Sequence, residues 1–351
     1  MKAGLLREFF SPQIDEVDAA LGAYLNERSH PADHYSIIRY HFGFSEDGKR
    51  LASGKRMRAI FCLLIGRATG ARAEPLRTLM MATELMHGAS LVHDDLEDAD
   101  PIRWGRATVW SKFGVNQAVN AGDAMIGMVY ELLLRLARDD VPGAAVVRLL
   151  HIFNQTHLRM TEGQHLDLAS EGRPDTAIET YLDIIARKTA SACECPSRAS
   201  AVLTNCSRDL EEAYASFGRA FGMLYQIVDD VVGTWGDPDT TGKVALADIA
   251  LRKASLPVLY GYHLGSPRLR GLLAHARQQR SRDATFDPNE AIEIREELAA
   301  RGVRERCQEH IVQHRDEALA GLRGTGSTSP EVKMLETMTL LCAEMGGVAP
   351  E

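Results

Sequence analysis

The sequence lacks the long apolar runs that would cross a membrane. No stretch of about 18 uncharged apolar residues occurs, and the nearest candidate, AMIGMVYELLL, is shorter and contains Glu131. The amino-terminal segment is also unlike a secretory signal peptide, because Arg7, Glu8 and Asp15 interrupt its apolar residues early. We therefore expect neither a membrane span nor a secreted protein.

Cysteines and basic residues do not form the patterns that would give them a function. The six cysteines are scattered and show no metal-ligand spacing with histidine, although Cys193 and Cys195 form an isolated C-x-C. This usage is typical of a reduced, cytoplasmic protein with incidental thiols. The net charge is −8 and no basic stripe stands out, so nucleic acid is not an expected partner.

Alternating apolar and polar residues, the pattern of a half-buried strand, are scarce in this chain. Helical periodicity dominates instead, and short breaks such as HPADH, DDVPG and EGRPD separate the helical stretches. Hydrophobic residues make up 45% of the chain, which is enough for a sizeable core. The sequence therefore predicts an all-α bundle, and we expect residues 1–351 to form one domain.

An acidic cluster follows an apolar stretch in residues 79–100, LMMATELMHGASLVHDDLEDAD. At 100° per residue, a helix would place Glu84, His87, Asp94, Asp95 and Asp98 on one face. Asp94 and Asp98 are one turn apart, so their like charges repel, and a hard divalent cation would remove the conflict. We call Asp94, Asp95 and Asp98 the first aspartate cluster. The alternative is a solvated acidic helix end.

A second pair of carboxylates, Asp229 and Asp230, lies inside the apolar run YQIVDDVVGTW. Burying two adjacent like charges is costly unless a cation accompanies them. Gln226 shares their polar helix face, and Lys243 and Lys253 follow in the next segments. We call Asp229 and Asp230 the second aspartate cluster. Two such clusters with nearby lysines predict a cage for Mg²⁺ and a diphosphate.

These segments together resemble the trans-isoprenyl diphosphate synthases, also called polyprenyl synthases, and in particular geranylgeranyl diphosphate synthases. HDDLED with IRWGRATVW is similar to the first aspartate-rich motif of that family, and YQIVDD with GDPDTTGK is similar to the second. The other matching segments are GKRMR at 54–58, GQHLDL at 163–168, ARKTAS at 186–191 and the lysine at 253. Six motifs in the family's order are far more specific than either aspartate pair alone.

The resemblance implies an isoprenoid-synthase helical bundle around a deep central cavity, assembled as a homodimer. It implies that about three Mg²⁺ ions assist ionisation of an allylic diphosphate. The double bond of isopentenyl diphosphate, the extender, then attacks the allylic cation, and a proton is lost to the released diphosphate. An apolar, water-free pocket suits such a cation.

The resemblance also implies roles for individual residues. The metal ligands would be Asp94, Asp95, Asp98, Asp229 and Asp230. The allylic diphosphate would be bound by Arg103, Lys188, Lys243 and Lys253. Thr189 and Gln226 would lie against the substrate near the reacting carbons, so that Lys188 and Gln226 join the aspartates as catalytic residues. The extender would be held by Lys55, Arg58 and His87. Gln164 and Asp167 share one helix face and are expected to brace the cavity.

Two departures from the family pattern are visible. Gly233 occupies the position of a third carboxylate in the second motif, and Asp237 is a candidate replacement. Trp104 occupies the position of a second arginine after Arg103, so that a bidentate anion partner for the extender is missing.

Trp104 keeps more than one function open. Chain elongation is the expected activity. A terpene-synthase-like lyase, which ionises an allylic diphosphate without an extender, is the alternative. A non-catalytic regulatory subunit is a third interpretation, although such a subunit would not need all the aspartates of both clusters.

Product length is predicted by residues before the first aspartate cluster. By the family's rule, bulky aromatic residues four and five positions before Asp94 stop growth at fifteen carbons. Here those positions are Ser90 and Ala89, which are small, and Met86 lies one turn further away. By this rule we expect a twenty-carbon product, or a twenty-carbon substrate if the protein is a cyclase, with Met86 as the floor of the cavity.

Overall fold

Helices form nearly all the regular structure, as the sequence predicts. The computed structural model describes residues 7–45, 49–171, 173, 175–236, 254–278 and 288–349. Within these ranges the helices are α1 (Ser11–Asn26), α2 (Ala32–His41), α3 (Met57–Ala68), α4 (Ala73–Glu97), α5 (Val109–Phe113), α6 (Val115–Arg135), α7 (Gly143–Ser170), α8 (Ile178–Ile185), α9 (Ser191–Leu203), α10 (Arg208–Trp235), α11 (Leu256–Leu264), α12 (Pro267–Gln278), α13 (Pro288–Ala300), α14 (Val303–Gly324) and α15 (Pro330–Met345).

Three short elements interrupt this pattern. The strands β1 (Ile102–Arg103) and β2 (Arg106–Ala107) form an antiparallel hairpin directly after α4. A 3₁₀ turn, Leu136–Arg138, follows α6, and a π-helical turn, Ala186–Ala190, joins α8 to α9. Single π turns inside helices are frequent at functional sites.

Helices α3 and α9 are the most deeply buried. In α3 the residues from Ala59 to Gly66 are all buried, which is the pattern of a helix enclosed on every side. Helix α9 is similarly buried, and the hydroxyl of its Ser200 donates to the carbonyl of Cys62 in α3 at 3.1 Å. The two helices therefore pack together, and the others surround them.

Two apolar cores flank this central pair. One involves α10 and the carboxyl-terminal helices, where the rings of Phe61 and Phe221 meet edge to face with centroids 4.9 Å apart. The other joins α1, α2, α4, α6 and α7. No described helix combines the length and apolarity that a membrane span requires.

The two aspartate clusters lie at the ends of two long helices. The first cluster closes α4, whose 25 residues span about 37 Å. The second lies in the last two turns of α10, which ends at Trp235. Ser207 is the N-cap of helix α10, and its hydroxyl oxygen accepts a hydrogen bond from the amide of Leu210.

Candidate active site

The structure divides the first aspartate cluster into two environments. Asp95 is 2% exposed and accepts a hydrogen bond from Nε of Arg103 at 2.5 Å. Asp94 is less buried, and its Oδ1 lies 3.7 Å from Nζ of Lys188. Asp98 is half-buried at the end of α4. Asp94 and Asp98 are therefore the partly exposed members of the cluster, and Asp95 is held by the protein.

Burial leaves these carboxylates short of compensating positive charge. It raises the pKa of Asp94, although Lys188 and Arg103 oppose the shift. It also raises the pKa of Asp95 to about 6 against the effect of Arg103. An additional cation next to Asp94 would stabilise its ionised form, which is the electrostatic condition for a metal site.

The second aspartate cluster is divided in the same way. Asp230 is 5% exposed, and its Oδ2 accepts hydrogen bonds from Oη of Tyr181 at 2.6 Å and from the amide of Leu256 at 2.9 Å. Its Oδ1 accepts a bond from Nε2 of Gln226 at 3.0 Å. Asp229, its neighbour, is half-buried. The contacts of Asp230 are those of a carboxylate that braces the first turn of α11.

Gln226 is oriented by the two partners of its amide group. Its Nε2 donates to Asp230, and its Oε1 accepts a bond from the hydroxyl of Thr189 at 2.9 Å. Thr189 lies in the π-helical turn, next to Lys188. The structure therefore brings Thr189 and Gln226 together, two residues to which the family resemblance assigns one site.

Lys188 is surrounded by oxygen atoms. Its Nζ donates to Oε1 of Gln164 and to Oδ2 of Asp167, the latter at 3.0 Å, and it faces Asp94. Burial lowers the pKa of Lys188, but Asp94, Asp167 and Asp98 outweigh that effect and raise it. The lysine therefore stays protonated beside the first aspartate cluster.

A continuous series of contacts connects the two clusters. It leads from Asp94 to Lys188, through the adjacent Thr189, to Gln226 and then to Asp230. The π-helical turn thus contacts the first cluster directly through Lys188 and the second through Thr189 and Gln226.

The GKRMR segment enters the site through a buried arginine that sequence reasoning missed. Arg56 is 4% exposed and starts α3 with a φ of 55°. It donates to Oδ1 of Asp18 at 2.8 Å and to the carbonyl of Phe42 at 2.7 Å, and Glu84 lies 3.5 Å away. Glu84 therefore pairs with Arg56 instead of joining the metal ligands.

Arg58 and His87 meet, as expected for residues of one binding site. Nη1 of Arg58 lies 2.9 Å from Nε2 of His87. Burial, followed by the charges of Arg58 and Arg103, lowers the pKa of His87 well below its ordinary value. His87 is therefore neutral at pH 7. Lys55 is half-buried in the same segment.

Trp104 lies at the tip of the β1–β2 hairpin, where φ is 51° at Trp104 and 71° at Gly105. Two consecutive positive φ values are those of a type I′ turn. The indole packs on the GKRMR segment, since a Cβ built on Gly54 would lie 3.1 Å from its Cζ2. On its other side the ring centroid of His41 is 5.8 Å away.

The residues predicted to set chain length lie in α4, one to two turns before the first aspartate cluster. Met86 and Ala89 are 3% and 1% exposed and belong to the core shared with α6, whereas Ser90 is half-buried. The hydroxyl of Ser90 donates to the carbonyl of His87. Met86 and Ala89 therefore pack in the core, and their role in setting chain length stays a prediction.

The donor set suits a hard divalent cation. Carboxylate oxygens are the ligands that Mg²⁺ prefers, and it commonly combines one or two of them with substrate phosphates. Among the residues that the structure describes, no group of three or more metal-ligating side chains is already assembled. Asp94, Asp98 and Asp229 would therefore share metal with a bound diphosphate. Lys243, Lys253 and Asp237, for which the sequence analysis predicts roles, lie outside the residues that the structure describes.

The protein is a bundle of helices, and two of these helices carry carboxylates at their ends. Its fold is that of the helical isoprenoid synthases. A family model described as "Polyprenyl synthetase" matches residues 49–293. The chain is 34% identical over 263 residues to a geranylgeranyl diphosphate synthase of Mycobacterium tuberculosis, covering 70% of this chain and 74% of that protein. It is 32% identical over 274 residues to a (2E,6E)-farnesyl diphosphate synthase of the same organism, covering 77% and 72%.

A solved structure agrees with this assignment at the level of the fold. It is the polyprenyl synthase of Caulobacter crescentus CB15, complexed with calcium and isoprenyl diphosphate. It superposes with a TM-score of 0.82 at 24% identity over 98% of this chain and 97% of that one. The chain therefore belongs to the polyprenyl synthetase family, whose members reported above make prenyl diphosphates.

Proposed function

We propose that this protein condenses an allylic diphosphate with isopentenyl diphosphate in a Mg²⁺-dependent reaction and makes a prenyl diphosphate of twenty carbons. The observation that carries the proposal is the placement of Lys188 and Thr189, which connect the carboxylates of α4 to those of α10. The two synthases of Mycobacterium tuberculosis to which the chain is similar are named for products of different length. The proposed length of twenty carbons therefore rests on the small side chains of Ala89 and Ser90 and on the position of Met86 one turn further away.

The proposed ionisation step breaks the bond between the allylic carbon and the diphosphate oxygen. Asp94, Asp98 and Asp229 would hold Mg²⁺, which supplies positive charge for the departing diphosphate when bound. Lys188 and Arg103 add fixed positive charge on the same side. Such preorganised charge stabilises the leaving group without solvent reorganisation.

The second step forms the new carbon–carbon bond. The double bond of the extender attacks the allylic cation, and the resulting cation loses a proton to the released diphosphate. Thr189 and Gln226 would orient their dipoles toward the cation, and Lys55, Arg58 and His87 would hold the extender diphosphate. The buried apolar side chains of Met86 and Ala89 would keep water from the growing chain.

Asp95 and Asp230 have a different role in this proposal. Each is buried and engaged by protein donors, so we assign them to support and not to metal binding. Asp95 fixes Arg103, and Asp230 fixes Gln226 and the start of α11.

One incubation series tests the proposed function. The purified protein is mixed with Mg²⁺ and geranyl, farnesyl or geranylgeranyl diphosphate, with and without isopentenyl diphosphate. Longer diphosphates that appear only with the extender support elongation. Hydrocarbons or alcohols formed without it would contradict elongation. Activity that survives EDTA would contradict the metal assignment.

We also propose a homodimer formed through α6 and α7. Six of the eleven exposed large apolar side chains of the described residues lie on these two helices, namely Val115, Val119, Leu134, Val147, Leu158 and Leu168. Tyr130 of α6 bonds to Asn154 of α7, so the helices form one surface. Light scattering of the wild type and of Val147→Glu with Leu158→Glu tests this proposal. A wild-type monomer, or a variant that remains dimeric, would overturn it.

A further inference from the structure

The π-helical turn, Ala186–Ala190, is held between two helices that each contribute a glycine. On the α7 side, a Cβ built on Gly163 would lie 2.8 Å from the backbone nitrogen of Lys188. On the α10 side, a Cβ built on Gly222 would lie 2.4 Å from Cα of Ala190 and 3.1 Å from the carbonyl oxygen of Thr189. Both obstacles are backbone atoms, so a larger residue at either position requires the turn itself to move.

The π-helical turn directs two adjacent side chains, Lys188 and Thr189, toward different helices. A π turn contains an extra residue relative to an α turn, because its hydrogen bonds run from i to i+5. Lys188 points toward Gln164 and Asp167 of α7 and toward Asp94 of α4. Thr189 points the other way and donates to Gln226 of α10.

Side chains from the α7 side hold the lysine in place. Gly163 allows the close approach, and Gln164 and Asp167, one and four residues later, receive the ammonium group. This geometry explains why a glycine, a glutamine and an aspartate occur together in the GQHLDL segment.

From this arrangement we infer that Gly163 and Gly222 are positioning residues. They fix the π-helical turn so that Lys188 reaches Asp94 of the first aspartate cluster while Thr189 reaches Gln226, which bonds to Asp230 of the second. Asp167 is a third positioning residue, acting on the Lys188 ammonium. The inference rests on the proposed function only because prenyl transfer is the reaction whose kcat is measured. The contacts of the glycines with the turn do not depend on that function.

The first experiment compares three glycine-to-alanine variants. Gly163→Ala and Gly222→Ala force the turn to shift, and displacement of a catalytic group by about 1 Å costs on the order of a hundredfold in rate. Gly127→Ala is the control, since Gly127 lies in helix α6 and a Cβ there meets nothing within 4 Å. We expect kcat to fall about a hundredfold in the first two variants and to stay unchanged in the third. Equal kcat in all three would overturn the inference.

A double-mutant cycle separates positioning from a loss of folding. If Gly222 acts through the turn, Gly222→Ala has much less effect on kcat once Lys188→Ala and Thr189→Val are present. An undiminished loss in that background would show that Gly222 acts elsewhere and would contradict the inference.

A second pair of variants keeps the test valid if the glycine variants do not fold. Asp167 and Asp183 have side chains that are 44% and 49% exposed, and both pair with the turn, Asp167 with Lys188 and Asp183 with Arg187. Asp167→Ala should lower kcat about tenfold or more, whereas Asp183→Ala should not. Equal effects of the two substitutions would contradict a role for Asp167 in positioning.

A binding measurement distinguishes failure of this inference from failure of the proposed function. Inorganic diphosphate with Mg²⁺ should raise the Tm of the wild type and of Gly127→Ala, and should raise that of Gly222→Ala less. If no prenyl transfer occurs but this difference persists, the positioning role stands and the proposed reaction fails. If Gly222→Ala shows the full Tm shift, the positioning role fails.

Discussion

Arg103 and Arg106 face each other across the Trp104–Gly105 turn, and they bind different helices. Arg103 donates to Asp95 at the end of α4. Arg106 donates to the carbonyls of Tyr40 and His41, which lie at the end of α2. The hairpin is thus fixed at both strands, and its tip is held against the GKRMR segment.

The fixed hairpin makes Trp104 a direct test of the extender site. We expect Trp104→Arg to lower the KM for isopentenyl diphosphate by about tenfold, because a guanidinium binds a phosphate through two charge-assisted hydrogen bonds. Steady-state kinetics at saturating allylic diphosphate measure this change. Trp104→Ala is the control for simple removal of the ring. A KM for Trp104→Arg that matches the wild type or exceeds it would show that the indole does not weaken extender binding.

Adjacent carboxylates in α10 should respond differently to the same substitution. Asp230→Asn disturbs an acceptor that serves Tyr181, Gln226 and Leu256, and we expect the free energy of unfolding to fall by about 1–3 kcal/mol. Asp229→Asn should lower kcat about a hundredfold with little change in that free energy. Urea denaturation and kinetics of both variants give the comparison. Equal loss of stability in the two would refute the division of the second cluster.

His41 should make the folded state sensitive to acid. Burial, together with Arg56, Arg103 and Arg106, lowers the pKa of His41 to about 3, well below its unfolded value of 6.5. Below pH 6.5, His41 therefore becomes protonated in the unfolded chain, whereas in the folded protein it stays neutral until about pH 3. The stability from this residue is complete above pH 6.5, and it falls by up to about 1.4 kcal/mol per pH unit as the pH decreases.

His41→Phe removes this titration while keeping an aromatic ring. The free energy of unfolding of the wild type should therefore fall more steeply than that of the variant between pH 6.5 and about pH 5. Urea denaturation at several pH values measures both slopes. Parallel slopes would mean that His41 is protonated in the folded protein.

The floor of the cavity should control product length. Ala89→Phe places a ring beside the growing chain and should shorten the product, whereas Met86→Ala should lengthen it. Removing the buried Met86 side chain should also cost about 2–5 kcal/mol of stability. Mass spectrometry of the products gives the answer, with Met80→Ala as the control, because Met80 is equally buried in α4 but on another face. An unchanged distribution with Ala89→Phe would contradict the assignment of the cavity.

Local periodicity predicted the parts of the site that depend on one helix. The one-turn spacing of Asp94 and Asp98, and the polar face that Gln226 shares with the second cluster, follow from helix geometry. The GKRMR, GQHLDL and ARKTAS segments were found through their resemblance to a family. Lys188 of ARKTAS donates to Asp167 of GQHLDL, and Arg58 of GKRMR contacts His87 of α4.

Contacts between distant segments were not predictable from these patterns. Neither the bond from Tyr181 to Asp230 nor the pairing of Arg56 with Asp18 leaves a periodic signal, since each joins residues tens of positions apart. The difference in burial between neighbouring aspartates of each cluster also leaves no signal in the sequence. This difference arises because helix neighbours point about 100° apart, so that one aspartate of each pair is directed into packed helices and the other is partly exposed.

The bond between Asp18 and Arg56 sets a limit on how far the protein can be shortened. Helix α1 contributes no predicted substrate contact and precedes the residues that match the family model. Its Asp18 nevertheless binds both Arg50 and Arg56, on either side of Gly54. A minimal catalytic unit cut at residue 49 would leave the Arg56 guanidinium without this partner, so expression designs for this enzyme should begin before α1.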